Sequence, residues 1–295
     1  MQTFSLRGAC QQMLARYNAP IKQHYSNTGG NSHMKIGLIG IVGEQLKQEP
    51  WETLKAVAEI GYEGIEGAAG IAGREDISIA DLRGRLNEIG LEPVAQGGIR
   101  FLAEDHGVDS AIKAATELGC PYVVHYWGPC EEKEQVLEMA EFLDDAGRRC
   151  REAGLRFLYH NHNHEFTTFD GKTGIDLLME NSDPENLGLE IDVAWATYAG
   201  LDPAELIRKY AGRCPVLHMK DLVTFPEGGI VSNDGRQETQ FTEVGTGVVD
   251  FSGVVKAAGE TGVQWLVVEQ DRPRDLGPMD SIRVSYENLS ELVNG

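Results

Sequence analysis

One joint recurs along this chain: an amphipathic segment ends in glycine, and an apolar segment opens within a few residues. It stands at Ile60-Gly61-Tyr62, Ile89-Gly90-Leu91, Leu118-Gly119-Cys120, Ala153-Gly154-Leu155 and Thr261-Gly262-Val263. Glycine stops a helix well because it takes the left-handed conformation without steric cost. The amphipathic segments carry apolar residues at helical spacing, as in Trp51, Leu54, Val57 and Ala58. From Met34 onward, strands are expected at 35–40, 64–66, 92–96, 122–126, 155–160, 187–192, 215–220 and 265–269. Helices are expected at 50–60, 79–89, 105–118, 131–153, 174–180, 203–211, 251–260 and 280–293. Strands that alternate with helices pair in parallel, because parallel neighbours need a crossover. Eight such units in about 260 residues predict an α/β fold of the (β/α)8 TIM barrel type. A doubly wound open sheet is less favoured, since no GxGxxG follows the first strand.

Residues 1–33 fall outside this pattern. They hold Gln, Asn and Ser with little apolar periodicity, so a disordered N-terminal extension is expected there and a single barrel domain over 34–295. The hydrophobic fraction of 41% in 295 residues supports a large core, and no apolar run is long enough to span a bilayer. A formal net charge of -20 argues against a nucleic-acid partner. The five cysteines are an odd number without a CxxC pair and read as reduced thiols of a cytoplasmic protein. Neither a nucleic acid nor a membrane is expected as a partner, and a homo-oligomer is compatible with the chain.

In such a barrel, chemistry sits where the strands end. The polar strand ends are Glu66, then Gln96, then His125-Tyr126-Trp127, then His160-Asn161-His162. They continue with Glu190-Ile191-Asp192, His218-Met219-Lys220-Asp221 and Glu269-Gln270-Asp271. The run FLYHNHNHEF at 157–166 places three of the eight histidines within five residues, followed by Glu165. Alternation along a strand puts His160 and His162 on one face and Asn161 on the other. Imidazoles and carboxylates from separate strands form a mixed nitrogen and oxygen site suited to one divalent metal ion, such as Mn, Co, Zn, Mg or Fe.

The segments YHNHNHEF at 159–166, LGLEIDVAWATYAGLDP at 187–203, GRCPVLHMKD at 212–221, EVGTGVVDF at 243–251 and VVEQD at 267–271 carry a resemblance. From Met34 onward the chain resembles the xylose isomerase-like barrels of the sugar phosphate isomerase/epimerase superfamily. The resemblance implies a metal held by Glu, Asp, His and Glu at the ends of strands five to eight. Asp192, His218 and Glu269 match three of these positions directly. The chain departs at the first, where many relatives have Glu and this one has His160. Either His160 ligates or Glu165 reaches back from the loop. The expectation taken forward has Glu165 as the ligand, with His160 and His162 facing the substrate.

The resemblance implies a hydroxy-ketone chemistry on a keto-sugar or cyclitol. The metal polarises the carbonyl, a base removes the neighbouring proton, and an enediolate forms. Return of the proton gives an isomerase or epimerase, the main expectation. Loss of a leaving group gives a dehydratase or lyase, the alternative. Epimerases of the family resemble a two-carboxylate arrangement, whereas inosose dehydratases and keto-sugar lyases or hydratases resemble this histidine-rich form. The catalytic candidates are His160, His162, Lys220 and Glu269. Glu66, Gln96, Tyr126, Trp127 and Trp195 are candidates for substrate contact, Trp127 and Trp195 forming an apolar wall with Tyr198. The stretch Glu243-Val244-Gly245-Thr246-Gly247 lies where barrels often bind phosphate, but it holds no basic residue, so an unphosphorylated substrate is expected. Abasic-site endonucleases and non-catalytic metal-binding barrels are the remaining classes. The former need a basic face that this chain lacks.

Overall fold

The structure, a computed structural model, describes residues 34–104, 106–225, 240–271 and 275–295. The expected extension at 1–33 and most of the polar stretch 223–242 lie outside the described residues. Nine parallel strand segments form the main sheet: β1 Lys35–Ile39, β2 Gly64–Ile65, β3 Glu92–Pro93, β4 Ala95–Gln96, β5 Tyr122–His125, β6 Arg156–His160, β9 Leu187–Asp192, β10 Val216–Met219 and β13 Trp265–Glu269. Two hairpins lie outside it, β7 Thr168–Phe169 with β8 Lys172–Thr173, and β11 Asp221–Leu222 with β12 Phe241–Thr242.

The sheet order is β3-β2-β1-β13-β10-β9-β6-β5-β4. Its two ends are halves of the third expected strand, so the ring meets itself across Val94. Glu92 and Pro93 pair with β2, while Ala95 and Gln96 pair with β5. A TIM barrel results, with eight strands by connectivity and the third one split. Val94, Tyr122, Val124, Leu158, Val216, Trp265 and Val267 pack together inside it as an apolar floor. The other face of each strand, such as Phe157, Tyr159, Leu189 and Ile191, packs against the helical layer. Side-chain alternation therefore sends His160, Glu190, Asp192, His218 and Glu269 inward, above the floor.

The helices are α1 Gly43–Gln48, α2 Pro50–Ile60, α3 Ala69–Arg74, α4 Ile79–Ile89, α5 Val108–Leu118, α6 Lys133–Glu152, α7 Gly174–Glu180, α8 Val193–Tyr198, α9 Pro203–Lys209, α10 Phe251–Thr261 and α11 Pro278–Asn294. The eight expected helices are present, with shifts of a few residues at their ends. Three short ones, α1, α3 and α8, were not foreseen. Helix α8 is buried on nearly all sides, so its sequence carries no amphipathic stripe. It is anchored instead by Asp192, whose side chain accepts the Trp195 N–H at 2.9 Å. Gly90, Gly119 and Gly262 close their helices in the left-handed conformation, as the joints predicted.

Helix α6 approaches the turn before β9 so closely that a Cβ at Gly147 would lie 2.1 Å from the Asn186 carbonyl oxygen. At Gly84, exposed in α4, a Cβ would meet nothing within 4 Å. Gly147→Ala is expected to destabilise the fold by about 1–3 kcal/mol. Gly84→Ala is expected to stabilise it by about 0.5–1 kcal/mol. Urea unfolding of the two variants checks both signs.

Candidate active site

Strand β6 stops at His160, and alternation stops with it. The chain then turns through a short 3-10 segment, His164–Phe166. At the barrel mouth His160 meets Asp192 from the end of β9, His218 from β10 and Glu269 from the end of β13. One donor atom from each of these four lies within 4.8 Å of the others. Lys220, buried just past β10, puts Nζ 2.9 Å from Glu269 Oε2, 3.4 Å from Asp192 Oδ2 and 3.1 Å from Asp271 Oδ2. The Phe241 and Trp195 rings lie 4.8 and 5.6 Å from that ammonium. Asp192 spends Oδ1 on α8. Its Oδ2 is buried and has no hydrogen-bond partner among the described residues.

Glu165 does not join the group, contrary to the expectation that it would reach back as a ligand. Tyr159 donates to its Oε1 at 2.6 Å, and the His162 N–H donates to Oε2 at 2.8 Å. Tyr159 belongs to the face of β6 that packs on the helices, so Glu165 is drawn behind the barrel wall. It clusters there with His162 and His164, and His164 Nε2 also contacts the Gly128 carbonyl at 2.9 Å. The imidazole of His160 occupies the position expected for that carboxylate. His162 sits at the edge, its ring 5.1 Å from His160 and 5.7 Å from Trp195 between centroids.

The substrate candidates divide. Glu66 and Tyr126 face each other, with the Tyr126 hydroxyl 2.5 Å from Glu66 Oε1. Glu66 Oε2 lies 3.3 Å from His218 Nε2, in the layer beneath the four-residue group. Gln96 accepts from the Ala69 N–H at the start of α3 and donates to the neighbouring Gly97 carbonyl. Trp195 is fully buried behind Lys220, while Trp127 is 40% exposed and lies against His164 rather than the group. Of the expected wall, Trp195 and Tyr198 stand together with ring centroids 5.5 Å apart, and Trp127 lies apart from them.

Glu190 was passed over as a site residue, although its position two residues before Asp192 places it on the same inward face. It is fully buried, and its Oε1 lies 3.1 Å from His160 Nδ1 and 3.0 Å from His218 Nε2. Burial pushes carboxyls up, but the charges of His218 and His160 hold Glu190 down at about 2. Burial alone would lower His218, yet Glu190 and Glu66 raise it well above 6.5. Lys220 rises too, against burial, because Glu269, Asp192 and Asp271 surround it. Glu269 is held well below the carboxylate range, against burial, by Lys220 and His218.

The Glu243–Gly247 loop has its own buried anion. Asp221 accepts N–H groups from Leu222 at 2.8 Å, Val249 at 3.1 Å, Gly245 at 3.0 Å and Gly247 at 2.8 Å. A Cβ at Gly247 would come 2.0 Å from the Leu222 carbonyl, which explains the glycine. Two of the loop's backbone donors are thus already committed to a carboxylate.

The signature of the xylose isomerase-like TIM barrels matches residues 54–291. The chain belongs to that family. An inosose dehydratase of Geobacillus kaustophilus is 26% identical over 289 residues, 86% of this chain and 90% of that protein. One from Lacticaseibacillus casei is 29% identical over 53% of this chain, which spans about half (54%) of that relative. Among solved structures, an IOLI protein with a binding zinc atom shares the fold at a TM-score of 0.68 and 18% identity, covering 88% of this chain and 98% of that one. No helix among the described residues is long and apolar enough to cross a membrane.

Each hydrogen bond to an ionised acceptor contributes about 1.5–3 kcal/mol, and Asp221 accepts four, two of them from the Glu243–Gly247 loop. Asp221→Asn keeps the size but replaces an acceptor with a donor. It is expected to destabilise the protein by at least about 2 kcal/mol in urea unfolding, and to increase amide exchange at Gly245 and Gly247.

Proposed function

We propose that this chain is a divalent-metal-dependent dehydratase of an unphosphorylated keto-cyclitol or keto-sugar. The observation that carries the reading is His160 standing with Asp192, His218 and Glu269, where a two-carboxylate epimerase would need a glutamate. The inosose dehydratase that aligns over 90% of its own length supports the same reaction class. The zinc atom of the IOLI protein supports a divalent ion. The donor set fits such an ion. Two imidazoles and two carboxylates suit Zn, Mn, Co or Fe, and Asp192 Oδ2 is a buried anionic oxygen that otherwise lacks a hydrogen bond.

His160, Asp192, His218 and Glu269 would hold the ion, which would act as a Lewis acid on a hydroxy-ketone and acidify the C–H beside its carbonyl. Lys220 stays an ammonium among its carboxylates. It can hydrogen-bond the oxygen on which negative charge develops. His162 is the nearby imidazole outside the donor set. It takes the proton from carbon and returns one to the departing hydroxyl, so that the substrate loses one H and one OH as water. The loop anion Asp221 fits the absence of a substrate phosphate.

Proton NMR of an inosose and keto-sugar panel in D2O, with metal-loaded protein, tests this reading. Loss of water with deuterium exchange beside the carbonyl is the expected result. A deuterated isomer or epimer would assign isomerase or epimerase chemistry instead, and bound metal without exchange on any substrate would assign a non-catalytic barrel. His162→Ala is expected to lower kcat by about 10²- to 10⁴-fold with metal content unchanged.

Metal uptake should depend on pH with a definite sign. Because the pKa of His218 is raised above 6.5, its contribution to metal-free stability is fully present below 6.5 and is lost as pH rises through the folded value. An ion must displace that proton, so affinity should rise with pH, by up to about tenfold per unit per proton displaced. Calorimetric titration with zinc at pH 7, in buffers of different ionisation enthalpy, should register proton release.

A further inference from the structure

Glu190 is an expensive residue to bury, and the proposed chemistry does not use it. Its Oε1 is shared by two imidazoles, His160 through Nδ1 at 3.1 Å and His218 through Nε2 at 3.0 Å. Its Oε2 makes no hydrogen bond among the described residues. The His160 and His218 rings meet above it with centroids 4.5 Å apart. We propose that Glu190 is a positioning residue that sets both imidazoles at once, so that His160 offers Nε2 and His218 offers Nδ1 to the ion.

Strand register accounts for the opposite choice of nitrogen. His160 pairs with Glu190 itself, so it stands level with the carboxylate. The nitrogen nearer its backbone, Nδ1, meets Oε1, and Nε2 is left for the group. His218 pairs with Asp192, one inward side chain higher on β9. It must reach down with its far nitrogen, which leaves Nδ1 beside Glu269 Oε2 at 3.0 Å. A carboxylate that accepts the remote N–H of a ligating histidine fixes its tautomer and ring orientation and raises its basicity. Here one carboxylate does this for two ligands from two strands. Glu66, 3.3 Å from His218 Nε2 and held by Tyr126, reaches only one of them.

The inference rests on the proposed ion, and its test separates the two. Full-length protein is stripped of metal and loaded with zinc. Affinity is measured by competition with a chromogenic chelator, and nitrogen-15 NMR of histidine-labelled protein identifies the bound nitrogens. The expected result is zinc on Nε2 of His160 and Nδ1 of His218. Glu190→Gln, which keeps size and removes charge, should bind zinc about 10- to 100-fold more weakly when both proteins are compared at a temperature where their metal-free forms are folded. Zinc on the same nitrogen of both rings, or on Nε2 of His218 as a site with Glu66 and Glu190 would require, overturns the proposal. So does a Glu190→Gln affinity within twofold of wild type.

If Glu190→Gln does not fold, the bound nitrogens of the wild type decide alone. If wild-type protein takes up no zinc, the metal reading fails by itself. The positioning role is then read from metal-free protein at pH 8. A downfield Nδ1–H of His160 and Nε2–H of His218, both displaced in Glu190→Gln, uphold it. No displacement at either ring overturns it.

Discussion

Charges buried together at the mouth of this barrel have to balance one another. Glu66, Glu190, Asp192, His160, His218 and Lys220 are each at most 4% exposed, and Glu269 is close by. A single ionised group would not be held in such a place, because its lost hydration costs several kcal/mol. Carboxylates and basic groups alternate here instead, and His218 touches Glu66, Glu190 and Glu269. Glu190 serves two histidines, and Lys220 serves three carboxylates. The excess of acid leaves Asp192 Oδ2 with the Lys220 ammonium at 3.4 Å and no hydrogen bond, and a divalent cation is what would complete the balance.

The scaffold delivers that arrangement through register. Parallel pairing sets His160 level with Glu190 and His218 level with Asp192. A one-residue slip in either strand would turn these side chains out against the helices and bring apolar ones in. The apolar floor beneath, with Trp265, Tyr122 and Leu158, closes the barrel below the polar layer. The polar layer can therefore open only upward, toward the strand-to-helix loops. Asp192 ties two levels together, since one oxygen starts α8 while the other faces the group.

Much of this was legible in the residues. The glycine joints and the strand-end positions of Asp192, His218 and Glu269 follow from periods of two and of about 3.6, which local sequence carries directly. Glu165 was misplaced because the resemblance called for a carboxylate at the end of the fifth strand, and local sequence does not say which way the turn after His160 carries it. Only the tertiary contact with Tyr159 decides where that carboxylate goes. Glu190 was within reach of the same period-two rule, but nothing local reveals that two imidazoles converge on it. Helix α8 was invisible for the reason that makes it stable, since burial on all sides erases the amphipathic stripe.

The loop around Asp221 has a consequence for what the barrel could become. A carboxylate tethered one residue from a strand competes for backbone donors at an effective concentration far above that of any dissolved anion, on the order of molar or more. A free phosphate would have to displace a ligand that never leaves. Removing that ligand would also remove what shapes the loop. Acceptance of charged substrates is therefore not one mutation away from this chain: the vacancy and the architecture that frames it cannot be had separately.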